Sequence, residues 1–235
     1  MRFYLKYSAN DQELFQGLGY RYNNQLPNPY QFSKVFFGEP PPSRGRLPDY
    51  PGADAPVACF YFDNVAYFLE MGGDYRLWLY DNDAPSKGFQ AMAALPIKSG
   101  VDFQVFSLNK KGYVIAEGNP VRVFEYNPTN NQWTTKANFP GESRTKGAAF
   151  ANQNVGFYGT GQAIGRLAGL KDIWQYNPTT DRWTAVADYP GGGSVGLAAV
   201  TMSNQIYLGM GYRAGASAAG ALQYAPRYDL WQLRP

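Results

Sequence analysis

The chain has 235 residues, 45% of them hydrophobic, with a formal net charge of +3. Its Lys and Arg residues are scattered without a basic run, so charge gives no nucleic-acid signature. The lack of histidine excludes zinc sites of the usual His and Cys kind and Ser-His-Asp or Cys-His catalysis.

Aromatic residues at 17%, with 26 Gly and 17 Pro, point to short strands joined by tight turns, because Ala, Leu, Glu and Lys at helical spacing are missing. Taken in chain order, Met1-Arg-Phe-Tyr-Leu-Lys-Tyr7 is too poor in apolar residues for a signal peptide. No later stretch has the length of apolar residues that crosses a bilayer, so membrane insertion is not expected. Residues 1–50 show no repeat; residues 30–37 read as one strand, and Pro40-Pro-Pro42 with Ser43-Arg-Gly-Arg46 as a loop. Val57-Ala-Cys-Phe-Tyr-Phe62 is an apolar run in which the single cysteine, Cys59, reads as a buried core thiol with no disulfide partner. Val65-Ala-Tyr-Phe-Leu-Glu-Met-Gly-Gly73 is the first strand that ends in glycine.

Two later segments align without a gap, Val123-Phe-Glu-Tyr-Asn-Pro-Thr-Asn-Asn-Gln-Trp133 and Ile173-Trp-Gln-Tyr-Asn-Pro-Thr-Thr-Asp-Arg-Trp183, 50 positions apart (173 − 123). The offset persists through Pro140-Gly141 and Pro190-Gly191, then Gly159-Thr-Gly161 and Gly209-Met-Gly211. A weaker copy upstream contains Leu77-Trp-Leu-Tyr-Asp81, and Asp229-Leu-Trp-Gln-Leu233 closes the series after extra residues in a loop from Tyr212 to Tyr228. Sustained self-similarity at one period is the signature of a repeat architecture. Four repeats follow, at about 51–96, 97–140, 141–190 and 191–235.

Each repeat reads as four strands, A to D. In the third they are Gly147–Ala151, Val155–Gly159, Asp172–Tyr176 and Arg182–Ala185, with Asn177-Pro-Thr-Thr-Asp181 as the C-to-D turn. A four-stranded sheet cannot bury both faces alone, so repeats must stack, and radial stacking makes a propeller.

The order of glycine-ended strand, Tyr-Asn-Pro, Trp and Pro, at a period near 50, resembles the kelch repeats of the galactose oxidase and kelch-type propeller group. The resemblance covers about residues 57 to 235 and implies an all-β kelch-like β-propeller with four recognisable four-stranded blades. These form either a small closed ring, with residues 30–37 as the closing strand, or the C-terminal part of a larger propeller. Only Gly72-Gly73 is a true glycine pair, which places the chain on a divergent branch. Without histidine the copper site of galactose oxidase cannot be assembled, and no cofactor or metal is expected.

Function reads as recognition. The B-to-C connections each carry an arginine, namely Arg76, Arg122, Arg166 and Arg213, and emerge at the same end as the D-to-A connections, where Arg144 and Lys146 add charge. With Tyr75 and Tyr212 beside them, these arginines suit a carboxylate-bearing protein or glycan. The alternatives are a sugar-modifying enzyme of the kelch-type sialic acid mutarotase kind and a purely architectural domain of a surface protein. The carboxylates Asp54, Glu70, Asp74, Glu117 and Glu142 read as solvated or paired with arginine, and no catalytic residue is assigned. Trp78, Trp133, Trp174, Trp183 and Trp231, with Tyr80, Tyr126 and Tyr176, read as packing between blades. The low charge and the Asn, Thr, Gly and Tyr content favour an extracytoplasmic location.

Overall fold

A computed structural model gives the architecture. It describes residues 48, 50–52, 56–70, 74–97, 102–152, 154–202, 205–216, 220 and 222–233, with the backbone of four strands before residue 47. The chain divides into two compact units, Met1–Gly100 and Val101–Pro235.

The first unit holds two antiparallel four-stranded sheets. One consists of β1 (Lys6–Ala9), β2 (Glu13–Gly17), β3 (Phe32–Phe36) and β4 (Arg44–Arg46). This corrects the expectation for residues 30–37: β3 is an interior strand with β2 on one edge and β4 on the other, so it is not free to close another sheet. The stretch expected as a loop after Pro40–Pro42 contains β4.

The second sheet runs β5 (Pro56–Phe62), β6 (Val65–Glu70), β7 (Leu77–Asp81) and β8 (Phe89–Met92). Asp63 and Asn64 both have positive φ, 50° and 59°, as a two-residue hairpin loop requires when its twist matches that of its strands. Tyr50, Ala66, Phe68 and Tyr80 form a buried cluster in this unit. Cys59 packs against the cluster but is half-buried, less enclosed than its apolar run suggested.

Among the described residues, the second unit has three larger sheets and two small ladders. The first is β9 (Phe103–Leu108), β10 (Lys111–Ala116), β11 (Arg122–Asn127) and β12 (Gln132–Lys136). After the short β13 (Arg144–Thr145), the next sheet takes β14 (Ala148–Asn152) and β15 (Val155–Gly159). The short β16 (Gln162–Ala163) intervenes before β17 (Asp172–Asn177) and β18 (Arg182–Asp188) complete it. After β19 (Ser194–Val195), the last sheet takes β20 (Ala198–Met202) and β21 (Gln205–Gly209). The hairpin β22 (Tyr212–Ala216) and β23 (Leu222–Pro226) then leads to β24 (Leu230–Leu233), the third strand of that sheet among the described residues.

The strands of the third repeat therefore fall where the sequence pattern placed them. The segment 212–228 differs: residues 212–216 and 222–226 pair as a β-ribbon that sets Tyr212 opposite Pro226 and Ala214 opposite Tyr224.

Cores form between neighbouring sheets, which is why the repeats depend on stacking. Phe106, Tyr113, Ile115 and Val123 of one sheet pack with Tyr158 and Tyr176 of the next, and Trp174 and Trp183 lie against them. Phe150, Phe157 and Ile173 in turn meet Ile206 and Leu208. Each such side chain contributes about 1.5–3 kcal/mol when fully buried. Trp231 departs from the expected packing role and is exposed, with Leu230 at 57% beside it, whereas the repeat-equivalent Ile173 is 1% exposed.

Candidate functional site

In an antiparallel A-B-C-D sheet, the A-to-B and C-to-D turns share one end, and the B-to-C and D-to-A connections share the other. In the second unit this second end is knitted into a layer. Arg144 and Thr145 of β13 pair with Ala163 and Gln162 of β16, while Ser194 and Val195 of β19 pair with Arg213 and Tyr212 of β22. Between these ladders, the Gly161 N–H donates to the Ser194 carbonyl at 2.7 Å and the Gly196 N–H to the Lys146 carbonyl at 2.8 Å. A connection that would otherwise be irregular is thereby a fixed platform for side chains.

Arg144 is fully buried, 0% exposed. Its guanidinium grips Asp172 bidentately at 2.8 and 2.7 Å, donates to the Thr160 carbonyl at 3.0 Å, and lies 4.7 Å from the Phe139 ring centroid. The indole N–H of Trp174 donates to the same carboxylate at 2.7 Å. Burial raises the pKa of Asp172, but Arg144 and Trp174 outweigh it and hold the carboxyl below its usual range. The next sheet repeats the clasp with a different cation: Trp231 and Tyr189 donate to Asp229, and Arg227 pairs with it at 3.2 Å. Arg144 is therefore a buried clasp and not an exposed loop cation as the sequence suggested.

Of the other expected site residues, Tyr75 is 4% exposed and so cannot offer its ring to a partner. Arg76 is exposed; both belong to the first unit. Arg122 opens β11, half-buried, 5.9 Å from the Phe124 ring centroid. Arg166 stands exposed at the tip of the 163–168 hairpin, where Gln162 donates to the Arg166 and Ala168 carbonyls, and it pairs with Glu142. Arg213 and Tyr212 are adjacent on β22, pointing to opposite faces of the ribbon, and both are exposed, Tyr212 at 50%.

The structure brings together a set that the sequence only half revealed. Tyr212 and Tyr224 stand on one face of the β22–β23 ribbon, ring centroids 6.3 Å apart and edge to face. Lys146, from the D-to-A connection, lies over Tyr224 at 4.7 Å from its centroid and donates to its hydroxyl at 3.0 Å. An ammonium has three N–H donors, so two remain for a ligand beyond this contact. Tyr224 was missed because residues 212–228 read as an insertion. The alternation of Tyr212, Ala214 and Ala216 across Gly220 from Leu222 and Tyr224 was the signal of a hairpin.

The carboxylates expected as solvated or paired with arginine divide. Asp74 is exposed, Glu142 pairs with Arg166, and Asp54 lies outside the described residues. Glu70 is buried and accepts the Trp78 indole N–H at 2.7 Å. Glu117 is 0% exposed; it accepts the Lys146 and Gly147 N–H groups at 2.8 and 2.7 Å, the Tyr158 hydroxyl at 2.8 Å and the Gln104 amide at 3.4 Å. Burial raises its pKa above the ordinary carboxylate value, and those four donors only partly offset it. Neither carboxylate reaches solvent. Among the described residues, no group of three His, Cys, Asp or Glu side chains is placed to hold a metal.

No protein-family model and no curated protein matches the chain. Among solved structures it is similar to the one titled "Structure of YjhT", with a TM-score of 0.73 at 12% identity. The alignment covers 97% of this chain and 81% of that one. Together with the stacked four-stranded sheets, this likeness shows the kelch-like β-propeller fold.

Proposed function

We propose that the chain is a binding module, not an enzyme, and that it takes a carboxylate-bearing protein or glycan on the loop end of its second unit. The observation that carries this reading is the Lys146–Tyr224–Tyr212 cluster: an exposed ammonium with free donors beside an exposed aromatic ring, all on backbone fixed by interstrand hydrogen bonds. A carboxylate meets the ammonium, and a sugar face or an aliphatic side chain covers Tyr212. Arg213 lies on the opposite face of the same ribbon and Arg166 is paired with Glu142, so the cluster does not depend on them.

Arrays of glycans and acidic peptides, probed with the whole chain and with a Lys146→Ala/Tyr212→Ala variant, test the proposal. Binding that drops at least tenfold in the still-folded variant, and weakens with added salt, is the expected result. Equal binding by both proteins would overturn it. A sugar-modifying activity is the second reading, and it predicts catalytic change of a reducing sugar in the same screen. The two buried carboxylates do not favour it, because an acid–base catalyst must reach the proton it moves.

A further inference from the structure

We propose that Glu117 is the positioning residue of the loop face, holding Lys146 in place as a carboxylate and releasing it on taking up a proton. Lys146 has φ +58°, a left-handed backbone that a lysine adopts at a cost. It is pinned from both sides, its N–H by Glu117 and its carbonyl by the Gly196 N–H. Remove the first contact and nothing else shown on that N–H keeps the residue in this conformation.

The chemistry of the pocket makes the contact sensitive to protonation. All four groups that face the Glu117 side chain donate to it: the Gln104 amide from β9, the Lys146 and Gly147 N–H groups just before β14, and the Tyr158 hydroxyl from β15. A carboxylate accepts from all of them, whereas a carboxylic acid has lost acceptor capacity and can give its proton only to the Tyr158 hydroxyl or the Gln104 amide oxygen, which must then turn and stop donating. The nearby Asp102 contributes only its carbonyl, which accepts the Glu117 N–H at 2.8 Å. The cations around the site are engaged elsewhere: Arg144, bridged to Gly118 through its backbone, is held by Asp172, and the Lys146 ammonium is turned onto Tyr224. Protonation therefore weakens the bonds to Lys146 and Gly147, and the ammonium is held less firmly on Tyr224.

The effect on ligand capture rests on the loop-face reading above; the latch itself does not. Amide NMR of the full chain, titrated from neutral to mildly acidic pH without ligand, separates the two. The Lys146 and Gly147 amides are expected to titrate together, with one midpoint above the ordinary carboxylate value. Their protection from exchange should fall about fivefold on the acid side, the worth of one hydrogen bond of about 1 kcal/mol. In Glu117→Gln the titration disappears. Tyr158→Phe removes a donor that favours the charged form, so it moves the midpoint upward, and it serves if Glu117→Gln fails to fold. A midpoint at the ordinary value, or a titration that survives in Glu117→Gln, would overturn the proposal.

Discussion

Asp172 collects a buried arginine and an indole N–H into one contact, and the guanidinium has only the Glu142 and Thr160 carbonyls beside it as further acceptors. Breaking a buried ion pair leaves an uncompensated charge, at a cost of about 3–5 kcal/mol. Asp172 itself is half-buried, so Asp172→Ala is expected to lower the unfolding free energy by about 3 kcal/mol, the low end of that range, measured by urea denaturation. Glycine has a similarly local role at two places. A Cβ on Gly141 would lie 2.5 Å from the Phe139 ring, which itself stacks on Arg144. At Gly159 a Cβ would collide with the Asp172 carbonyl oxygen, which is backbone and cannot turn aside. Gly159→Ala should therefore cost about 1–3 kcal/mol through overpacking, visible as a fall in Tm. The clasp was half legible in sequence. Asp172 and Trp174 stood out by repeating as Asp229 and Trp231, but their cations occupy unrelated positions, Arg144 and Arg227, so no periodicity could join them.

At the scale of elements, the C-to-D turns show how a repeated sequence encodes repeated chemistry. Asn127 and Asn177 each accept a backbone N–H two residues on, from Thr129 and Thr179. Tyr126 and Tyr176 reach across the turn to Asn131 and Asp181, whose φ values are 52° and 53°. Burial pushes the Tyr126 phenol up to about 12, so it stays a donor at any ordinary pH. Tyr176→Phe is expected to cost about 1 kcal/mol and to let the Asp181 carboxyl rise toward its usual value, since the Tyr176 hydroxyl helps to hold it down. Carbon NMR of the Asp181 carboxyl checks the second outcome. Turns of this kind were readable because Asn, Pro and Asp carry their conformation locally. The sheet of β1 to β4 was not, since its strands lack the repeat. One marker did precede the next sheet: Tyr50-Pro51-Gly52 copies Phe139-Pro140-Gly141 and Tyr189-Pro190-Gly191, the chain's passage from one sheet to the next.

Across the whole molecule, the hydrogen-bonded acids set opposing responses to pH. Asp172, Asp181 and Asp229 are held below their usual range, so the stability they contribute is present at neutral pH and is lost as pH falls through their depressed folded values. Glu117 has the opposite sign. Its folded pKa lies above the unfolded value, so its contribution is greatest under acid conditions and declines as pH rises through the folded value. The full chain is thus expected to gain stability on mild acidification before losing it in stronger acid. In Glu117→Gln the gain vanishes while the acid loss remains, and chemical denaturation at several pH values distinguishes the two curves.

The two clasps also differ in how far the chain must return on itself to close them. Arg227 meets an aspartate two residues away, while Arg144 must find one 28 residues along. On a simple chain-closure estimate the longer return is dearer by about 2 kcal/mol in entropy, so the Arg227 clasp can shut within its own segment early in folding. The Arg144 clasp cannot form until β14 and β15 have brought Asp172 back to the end of the preceding sheet. It acts as a checkpoint in assembly: a guanidinium stranded without its aspartate marks a chain whose neighbouring sheets have not yet met.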